Sequence, residues 1–307
     1  MATLHDIQKR ITSVTATHQI TSTMEMISRT KIKRAKRRVD RAEPYAREMR
    51  KLLTVLSDPN GEPVALATPH DSVRKVVLVV ITSDRGLAGQ FNNNILQLAQ
   101  RTLKRYEQRE CQVEIIACGK VGINYFTYRG YKPVIAFRDL SGDPRPEEAD
   151  TIADYLVDAY LSGTIDEVYA FYNHSKNLYE QVPAMWKIMP INMNMFFEQR
   201  MAGNAQGIAD QDPQLKQLQG YINYEPSREA VLSKLLPDYL NGYLNYMLIN
   251  SAEGEQAARQ IAMHNATENA RELLDDLKLI YNHVRQNAIT TEITEISSGA
   301  EALARPE

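Results

Sequence analysis

The segment SDRGLAGQF (83–91) carries residue types that could bind a phosphate, since two glycines, a serine and an arginine lie between a predicted strand and a predicted helix. In nucleotide-binding α/β folds, phosphates bind at such a turn, where free N–H groups and the helix dipole favour an anion. The spacing matches neither G-x-G-x-x-G nor G-x-x-x-x-G-K-[ST]. Glycines spaced this way more often allow a helix to pack closely on a sheet, and we favour that interpretation.

A second candidate is the basic run at residues 29–51, which holds eleven Lys or Arg against three acidic residues. Its local charge is +8, whereas the whole chain has a net charge of −2. Such a run can dock nucleic acid, anionic headgroups or an acidic protein, or it can be the solvated face of a helix. The sequence leaves both interpretations open.

No arrangement typical of nucleophilic or metal-assisted catalysis is present in the sequence. The serines lie outside G-x-S-x-G, H-E-x-x-H is absent, and the six histidines lack ligand spacing. Cys111 and Cys118 flank a predicted strand and are expected to be reduced and partly buried. We therefore expect no metal and no cofactor, and a mechanical or scaffolding role is favoured over an enzyme.

Two apolar helical seams near the ends of the chain must position these segments. Apolar side chains recur at alternating steps of three and four, the spacing of a coiled coil. The first set is Ile32, Ala35, Val39, Ala42, Ala46, Met49, Leu53 and Leu56, and the second is Ala266, Ala270, Leu273, Leu277, Ile280 and Val284. Because neither seam is stable in water alone, we predict that a first helix over 4–56 lies along a last helix that starts after Pro226 and ends near Ile296. Local irregularities are expected at Pro44, Pro237 and Gly254.

The sequence between the seams alternates predicted strands and helices. Strands are predicted over 75–82, 112–118, 134–137, 167–173 and 186–191, and helices over 91–107, 121–128 and 145–161. This alternation predicts a mostly parallel α/β sheet with right-handed crossovers. The longest apolar run, 76–81, is too short to span a membrane, and the first ten residues lack the apolar core of a signal peptide.

The predicted fold is thus α/β plus coiled coil, with an antiparallel pair of terminal helices and a central Rossmann-like α/β domain. The expected domains are an N-terminal coiled-coil helix over 1–57, the α/β domain over 58–200, a loop or insertion over 201–225 and a C-terminal coiled-coil helix over 226–307.

Several short segments together resemble the gamma subunit of the F-type ATP synthase. They are ITSTMEMI (20–27) followed by the basic run, SDRGL (83–87), YEP (224–226), EQAAR (255–259), NATENA (265–270) and RQNAIT (285–290). The resemblance implies that the terminal helices form a rotor shaft inside a hexamer of alpha and beta subunits, above the membrane c ring. It implies that ion flow turns the shaft and that catalysis belongs to the beta subunits, while the gamma subunit catalyses nothing.

The resemblance also implies which residues touch partners. Arg285 and Gln286 match positions that touch catch loops of the hexamer, and Met24 matches a position beside a beta-subunit loop. Tyr224 and Glu225 match the foot that meets the c ring. The alternatives are a plain cation near a helix C-terminus for Arg285 and a core side chain for Met24.

The implied partners are the alpha, beta and epsilon subunits and the c ring, with no nucleic acid. The implied location is peripheral, at the cytoplasmic face of a bacterial plasma membrane. Two other classes remain open. One is a nucleotide-dependent α/β enzyme with helical extensions, and the other is a basic coiled coil that binds nucleic acid through residues 29–51.

Overall fold

The structure is a computed structural model that describes residues 3–58, 60–140, 144–177, 179–196 and 225–303. Its elements follow the order α1 (Leu4–Leu56), a 3-10 turn (Ala65–Ala67), β1 (Lys75–Ile81), α2 (Phe91–Glu107), β2 (Gln112–Cys118), α3 (Lys120–Tyr128), β3 (Ile135–Phe137), α4 (Pro146–Leu161), β4 (Glu167–Ser175), β5 (Gln181–Met189) and α5 (Arg228–Leu303). The chain divides into two compact units. The terminal unit comprises residues 1–28 and 260–307, and the central unit comprises residues 29–259.

The central unit contains a five-stranded sheet of order β3-β2-β1-β4-β5. β1 pairs in parallel with both β2 and β4, and β2 pairs in parallel with β3. β5 runs antiparallel to β4 at the edge of the sheet. The mostly parallel sheet predicted from the sequence is therefore confirmed.

Apolar packing on both faces of β1 explains its continuous apolar sequence. Val77 and Val79 face a core that contains α4, the last turns of α1 and the first turns of α5. Val76 and Leu78 face a second core, built with α2 and α3. All four side chains are fully buried. A parallel strand covered on both faces needs apolar residues at every position rather than at alternate ones.

The boundaries of two elements differ from the prediction by more than two residues. β5 begins at Gln181 rather than near residue 186, because Pro183 lies on an edge strand, where a missing N–H is tolerated. α5 continues to Leu303, past the predicted end near Ile296, although the Ser-Ser-Gly sequence that follows is typical of a helix end. Both long helices continue through their prolines, and α5 also continues through Gly254. The predicted loop over 201–220 lies outside the described residues.

α1 and α5 run antiparallel within each unit, as predicted. In the central unit, Arg228 Nε donates to the Leu56 carbonyl at 2.8 Å. Further along, a Cβ on Gly242 would come within 2.8 Å of Cε1 of Tyr45. In the terminal unit, the Thr21 and Thr267 hydroxyls lie 2.8 Å apart, and residue 25 lies beside residue 264.

The predicted seam of α5 in the terminal unit is confirmed at Ala270, Leu277 and Val284, and the positions that alternate with them are shifted by one residue. The positions turned inward are Met263, Thr267, Ala270, Leu274, Leu277, Tyr281 and Val284, which keep alternating steps of four and three. Leu273 and Ile280 were predicted to lie in the seam, but they are 47% and 50% exposed. The prediction was wrong here because it preferred Ala266 to Thr267, whose hydroxyl is bonded inside the helix pair and is therefore compatible with burial.

Candidate partner surfaces and the loop after β1

The polar groups of the loop after β1 form hydrogen bonds with the loop itself and with the helices that follow it. The Ser83 amide donates to Asn92 Oδ1 at 2.9 Å, and Asn92 Nδ2 donates back to the Ser83 hydroxyl at 2.7 Å. That hydroxyl donates to the Arg85 carbonyl at 2.6 Å. Asp84 Oδ1 accepts a hydrogen bond from the Lys120 amide at 2.8 Å, which ties the loop to the start of α3.

Gly86 in this loop does not serve the close packing that we predicted. A Cβ on Gly86 would meet no atom within 4 Å, and Gly89 has a φ of +56°. The close approach occurs instead at Gly119, where a Cβ would lie 2.2 Å from the Thr82 carbonyl oxygen, and at Gly122, where it would lie 2.8 Å from the Thr82 hydroxyl. The glycines that let α3 pack against the end of β1 therefore lie just before that helix and in its first turn.

A buried ion pair on α5 lies against the same loop. Arg259 Nη1 lies 2.6 Å from Glu255 Oε1, and the two side chains are 8% and 2% exposed. Arg259 Nη2 also donates to the carbonyls of Arg85 and Gly86, at 3.1 and 3.3 Å. Burial raises the pKa of Glu255 to about 7, while the charge of Arg259 acts in the opposite direction. Sequence analysis missed this pair, although an acidic and a basic residue four positions apart were a usable signal.

These contacts give the loop the wrong polarity for a phosphate. A phosphate-binding turn directs free N–H donors at its ligand. Here the carbonyl oxygens of Arg85 and Gly86 are directed at a guanidinium on α5. The arrangement therefore binds a cationic side chain of the same chain and does not favour an anion.

At the opposite end of the strands, where β1 and β4 begin, Asp166 fastens the segment that leads into β1. Its carboxylate accepts hydrogen bonds from the amides of Arg74 and Lys75, at 2.7 and 2.9 Å, and lies 2.8 Å from His70 Nδ1. Burial alone would raise the pKa of Asp166, but these bonds outweigh it and hold that pKa below its ordinary value. The adjoining cavity of about 870 Å³ is lined by residues of both charge signs, so its lining selects neither anions nor cations.

The three residues expected to touch the hexamer all lie in the terminal unit, but at different levels. Met24 is half-buried on α1, whereas Arg285 and Gln286 are exposed on α5. The helix pair places Thr267 opposite Thr21, close to Met24. Arg285 lies eighteen residues further along α5, or about 27 Å at 1.5 Å per residue. The structure therefore places these three candidate residues at two separate levels of the helix pair.

The terminal unit also exposes large apolar side chains that were not predicted to contact a partner. They are each between 44% and 69% exposed, namely Ile20, Met26, Ile27, Leu273, Leu279, Ile280, Ile289, Ile293 and Ile296. Nearby threonines donate their hydroxyls to carbonyls of their own helix, as Thr23 does to Gln19 and Thr294 to Thr290. Exposed apolar groups beside internally satisfied hydroxyls are typical of a surface that a partner covers.

The remaining expected contacts lie in the central unit. Glu225 is exposed just before α5, while Tyr224 lies outside the described residues. Eight of the eleven cations of the basic run are exposed, namely Arg29, Lys31, Lys33, Arg34, Lys36, Arg37, Arg41 and Arg47. Among the described helices, none is both long and apolar enough to cross a bilayer.

Comparison with known proteins decides between the classes that the sequence left open. A family model described as ATP synthase matches residues 3–303. ATP synthase gamma chains of Chloroherpeton thalassium and Syntrophobacter fumaroxidans are 38% and 36% identical to this chain. Each comparison covers 99% of this chain and 99% of the relative. The chain belongs to the ATP synthase gamma chain family. The resemblance found in the short segments is thereby confirmed.

Solved structures from the same kind of complex share the fold. A chain in the OSCP/F1/c-ring structure of Euglena gracilis mitochondrial ATP synthase has a TM-score of 0.61 and 17% identity, covering 98% of this chain and 94% of that chain. A chain in the central stalk/c-ring structure of the Tetrahymena thermophila mitochondrial enzyme has a TM-score of 0.53 and 21% identity, covering 80% and 99%. These likenesses concern the fold, in which long terminal helices accompany a five-stranded α/β sheet.

Proposed function

We infer that the chain is the central rotor-shaft subunit of an F-type ATP synthase, coupling ion flow through the membrane c ring to ATP synthesis or hydrolysis in the alpha-beta hexamer. The observation that carries this inference is the match to gamma chains over 99% of the sequence. The exposed apolar side chains of the terminal unit support it, because such a surface calls for a partner. The chain is a non-catalytic subunit, and the chemistry belongs to the beta subunits.

A non-catalytic subunit can drive nucleotide exchange through its contacts alone. A shaft that touches each beta subunit differently at each rotation angle shifts that subunit among its nucleotide-binding states. The size of this shift is set by the difference in contact free energy between those states. The two separate contact points on the terminal unit suit this role, because they would reach different levels of a surrounding hexamer. We propose Met24, Arg285 and Gln286 as contacts with the hexamer.

We further propose Tyr224 and Glu225 as contacts with the c ring, supported by the exposure of Glu225 ahead of α5. In this arrangement the basic run on α1 faces the anionic surface of the membrane, which attracts cations over about a Debye length. The proposed location is peripheral, at the cytoplasmic face of the bacterial plasma membrane and held there by the complex. The epsilon subunit is proposed as a further partner.

Isolation of the native complex tests this function. A tagged chain expressed in its own cells should copurify with alpha, beta, epsilon and c subunits after mild detergent extraction. The same tag on an unrelated cytoplasmic protein is the control. Recovery of the chain free of all four subunits would contradict the proposal.

The isolated chain should neither hydrolyse ATP nor retain a nucleotide, because the loop after β1 directs carbonyls rather than amides at its neighbour. ATPase assays and nucleotide extraction on the purified chain check this. Turnover that disappears in Gly86→Val would favour the nucleotide-dependent enzyme instead, since a side chain at this position has open space.

A further inference from the structure

We propose that Arg259 is a positioning residue that fixes the middle of the loop after β1 to α5, while Glu255 holds its guanidinium in place. All the groups involved lie in the central unit. The assignment concerns the folded chain alone and does not depend on the rotor function.

The loop is fastened at both ends by buried groups. At its start, Ser83 is fully buried and bonded to Asn92. At its end, Ala88 and Phe91 pack into the interior with 2% and 4% exposure. Between them, residues 85–87 are exposed to solvent. Arg259 reaches this exposed stretch from α5 and donates to two of its three carbonyls.

The exposed stretch adopts a backbone conformation that needs such support. Leu87 has a φ of +63° and is 64% exposed. A branched residue in the left-handed region is strained, and strain of this kind persists only where the surroundings determine the backbone. Hydrogen bonds to the two preceding carbonyls restrict the rotations that would relax it. Arg259 therefore supplies a restraint at the place where the loop's own burial ends.

The chemistry of the contact calls for an arginine. One nitrogen of the guanidinium meets the carboxylate of Glu255 at 2.6 Å, and another meets both carbonyls. A rigid planar fork can serve acceptors in two directions at once, whereas a lysine ammonium on a flexible stem acts as a point charge. Lys31 and Asp84 also act electrostatically on Glu255, with opposite signs. The pair is thus a built contact rather than an accidental approach of surface groups.

Trypsin provides a local probe, because it cleaves after Arg85, whose carbonyl accepts bonds from both Arg259 and Ser83. The experiment compares the purified full-length chain with Arg259→Met, Arg259→Lys and the matched control Arg271→Met, an exposed arginine on the same helix. Initial cleavage rates at the 85–86 bond are measured by mass spectrometry, with hydrogen exchange of amides 84–88 as a second readout. Both report local opening in the native chain.

Arg259→Met should raise the cleavage rate at this bond by about tenfold or more, the range expected when hydrogen bonds from a charged group are lost. Arg259→Lys should recover only part of the protection, and Arg271→Met should behave like the wild type. An unchanged rate in Arg259→Met would overturn the proposal. So would an equal rise at every exposed tryptic site, because that would indicate a role in overall stability.

The single variant leaves Glu255 buried without its partner, which can destabilise the fold for a different reason. The double variant Glu255→Gln with Arg259→Met removes both charges and avoids that effect. It should show the same local rise in cleavage rate at the 85–86 bond, and its free energy of unfolding should be closer to that of the wild type. Wild-type protection of this bond in the folded double variant would overturn the proposal.

Discussion

The central and terminal units use the same two helices in opposite ways. In the central unit, the apolar positions of α1 and α5 complete the core beneath a sheet whose middle strand is fully buried. In the terminal unit, α1 and α5 bury a narrow seam and leave nine large apolar side chains exposed. Ten large apolar side chains are also exposed among the described residues of the central unit, but that unit is about three times as long, so the terminal unit presents apolar surface more densely. Folding free energy should concentrate in the first unit and partner binding in the second.

The sharpest test of that difference pairs one apolar residue from each unit. Leu156 on α4 is fully buried, so Leu156→Ala should lower the free energy of unfolding by about 2–5 kcal/mol. Ile293 is 61% exposed, so Ile293→Ala should change it by no more than about 0.5 kcal/mol. Denaturant unfolding of the isolated chain measures both values. A comparable loss in the two variants would remove the distinction between the units.

A smaller effect tests the seam within the terminal unit. Leu274 is 9% exposed, and Leu274→Ala should cost about 2 kcal/mol, at the low end for a buried leucine because the helix pair is thin. Its neighbour Leu273 is the matched control, and its replacement by alanine should cost less than about 0.5 kcal/mol. Hydrogen exchange of α5 amides in the isolated chain measures the difference. The reverse order would restore the seam that the sequence predicted.

A further effect, of similar or smaller size, concerns pH and the end of the central sheet where β1 and β4 begin. The folded pKa of Asp166 is depressed, so its stabilising contribution is present above the unfolded value and is lost as pH falls through the folded value. Asp166→Asn should lower the free energy of unfolding near neutral pH by about 1–3 kcal/mol, and the gap to the wild type should narrow as pH falls below the unfolded aspartate value of about 3.9.

Asp154→Asn on the exposed face of α4 provides the control for this titration. Denaturant midpoints measured across the acid range give the comparison. If the difference in stability between Asp166→Asn and the wild type stays constant down to the lowest pH, the carboxylate charge has no part in stabilising the segment that leads into β1.

The spacing of apolar residues and the length of each periodic segment predicted most of the fold. The run from Val76 to Ile81 could only be a buried strand, and the bounds of α2 and β2 follow from apolar periodicity and flanking turn residues. Errors arose where tertiary context decided. The sequence offers apolar residues at both 273 and 274, and the choice between them depends on which one meets α1. Pro183 is acceptable in β5 only because that strand is at an edge.

The candidate contacts were less accessible to sequence reasoning. Met24, Arg285 and Gln286 follow from the family motifs, and their assignment as partner contacts stays a prediction. The ion pair between Glu255 and Arg259 was not predicted, because the motif that contains it, EQAAR (255–259), was taken only as a family motif. Its role depends on contacts with residues 174 and 173 positions earlier in the chain, which no local pattern reveals.

The most direct test of the central claim is a paired measurement on the double variant Arg285→Ala/Gln286→Ala. Both side chains are exposed in the chain, so thermal unfolding of the isolated variant should match the wild type. If the hexamer buries them, each hydrogen-bonding group is worth about 1–3 kcal/mol, and ATP turnover by the reconstituted complex should fall about tenfold or more. The control Arg105→Ala/Gln108→Ala, an exposed pair at the C-terminal end of α2, should leave turnover unchanged. Wild-type turnover in the Arg285/Gln286 variant, or a large loss of stability in the isolated chain, would contradict the account.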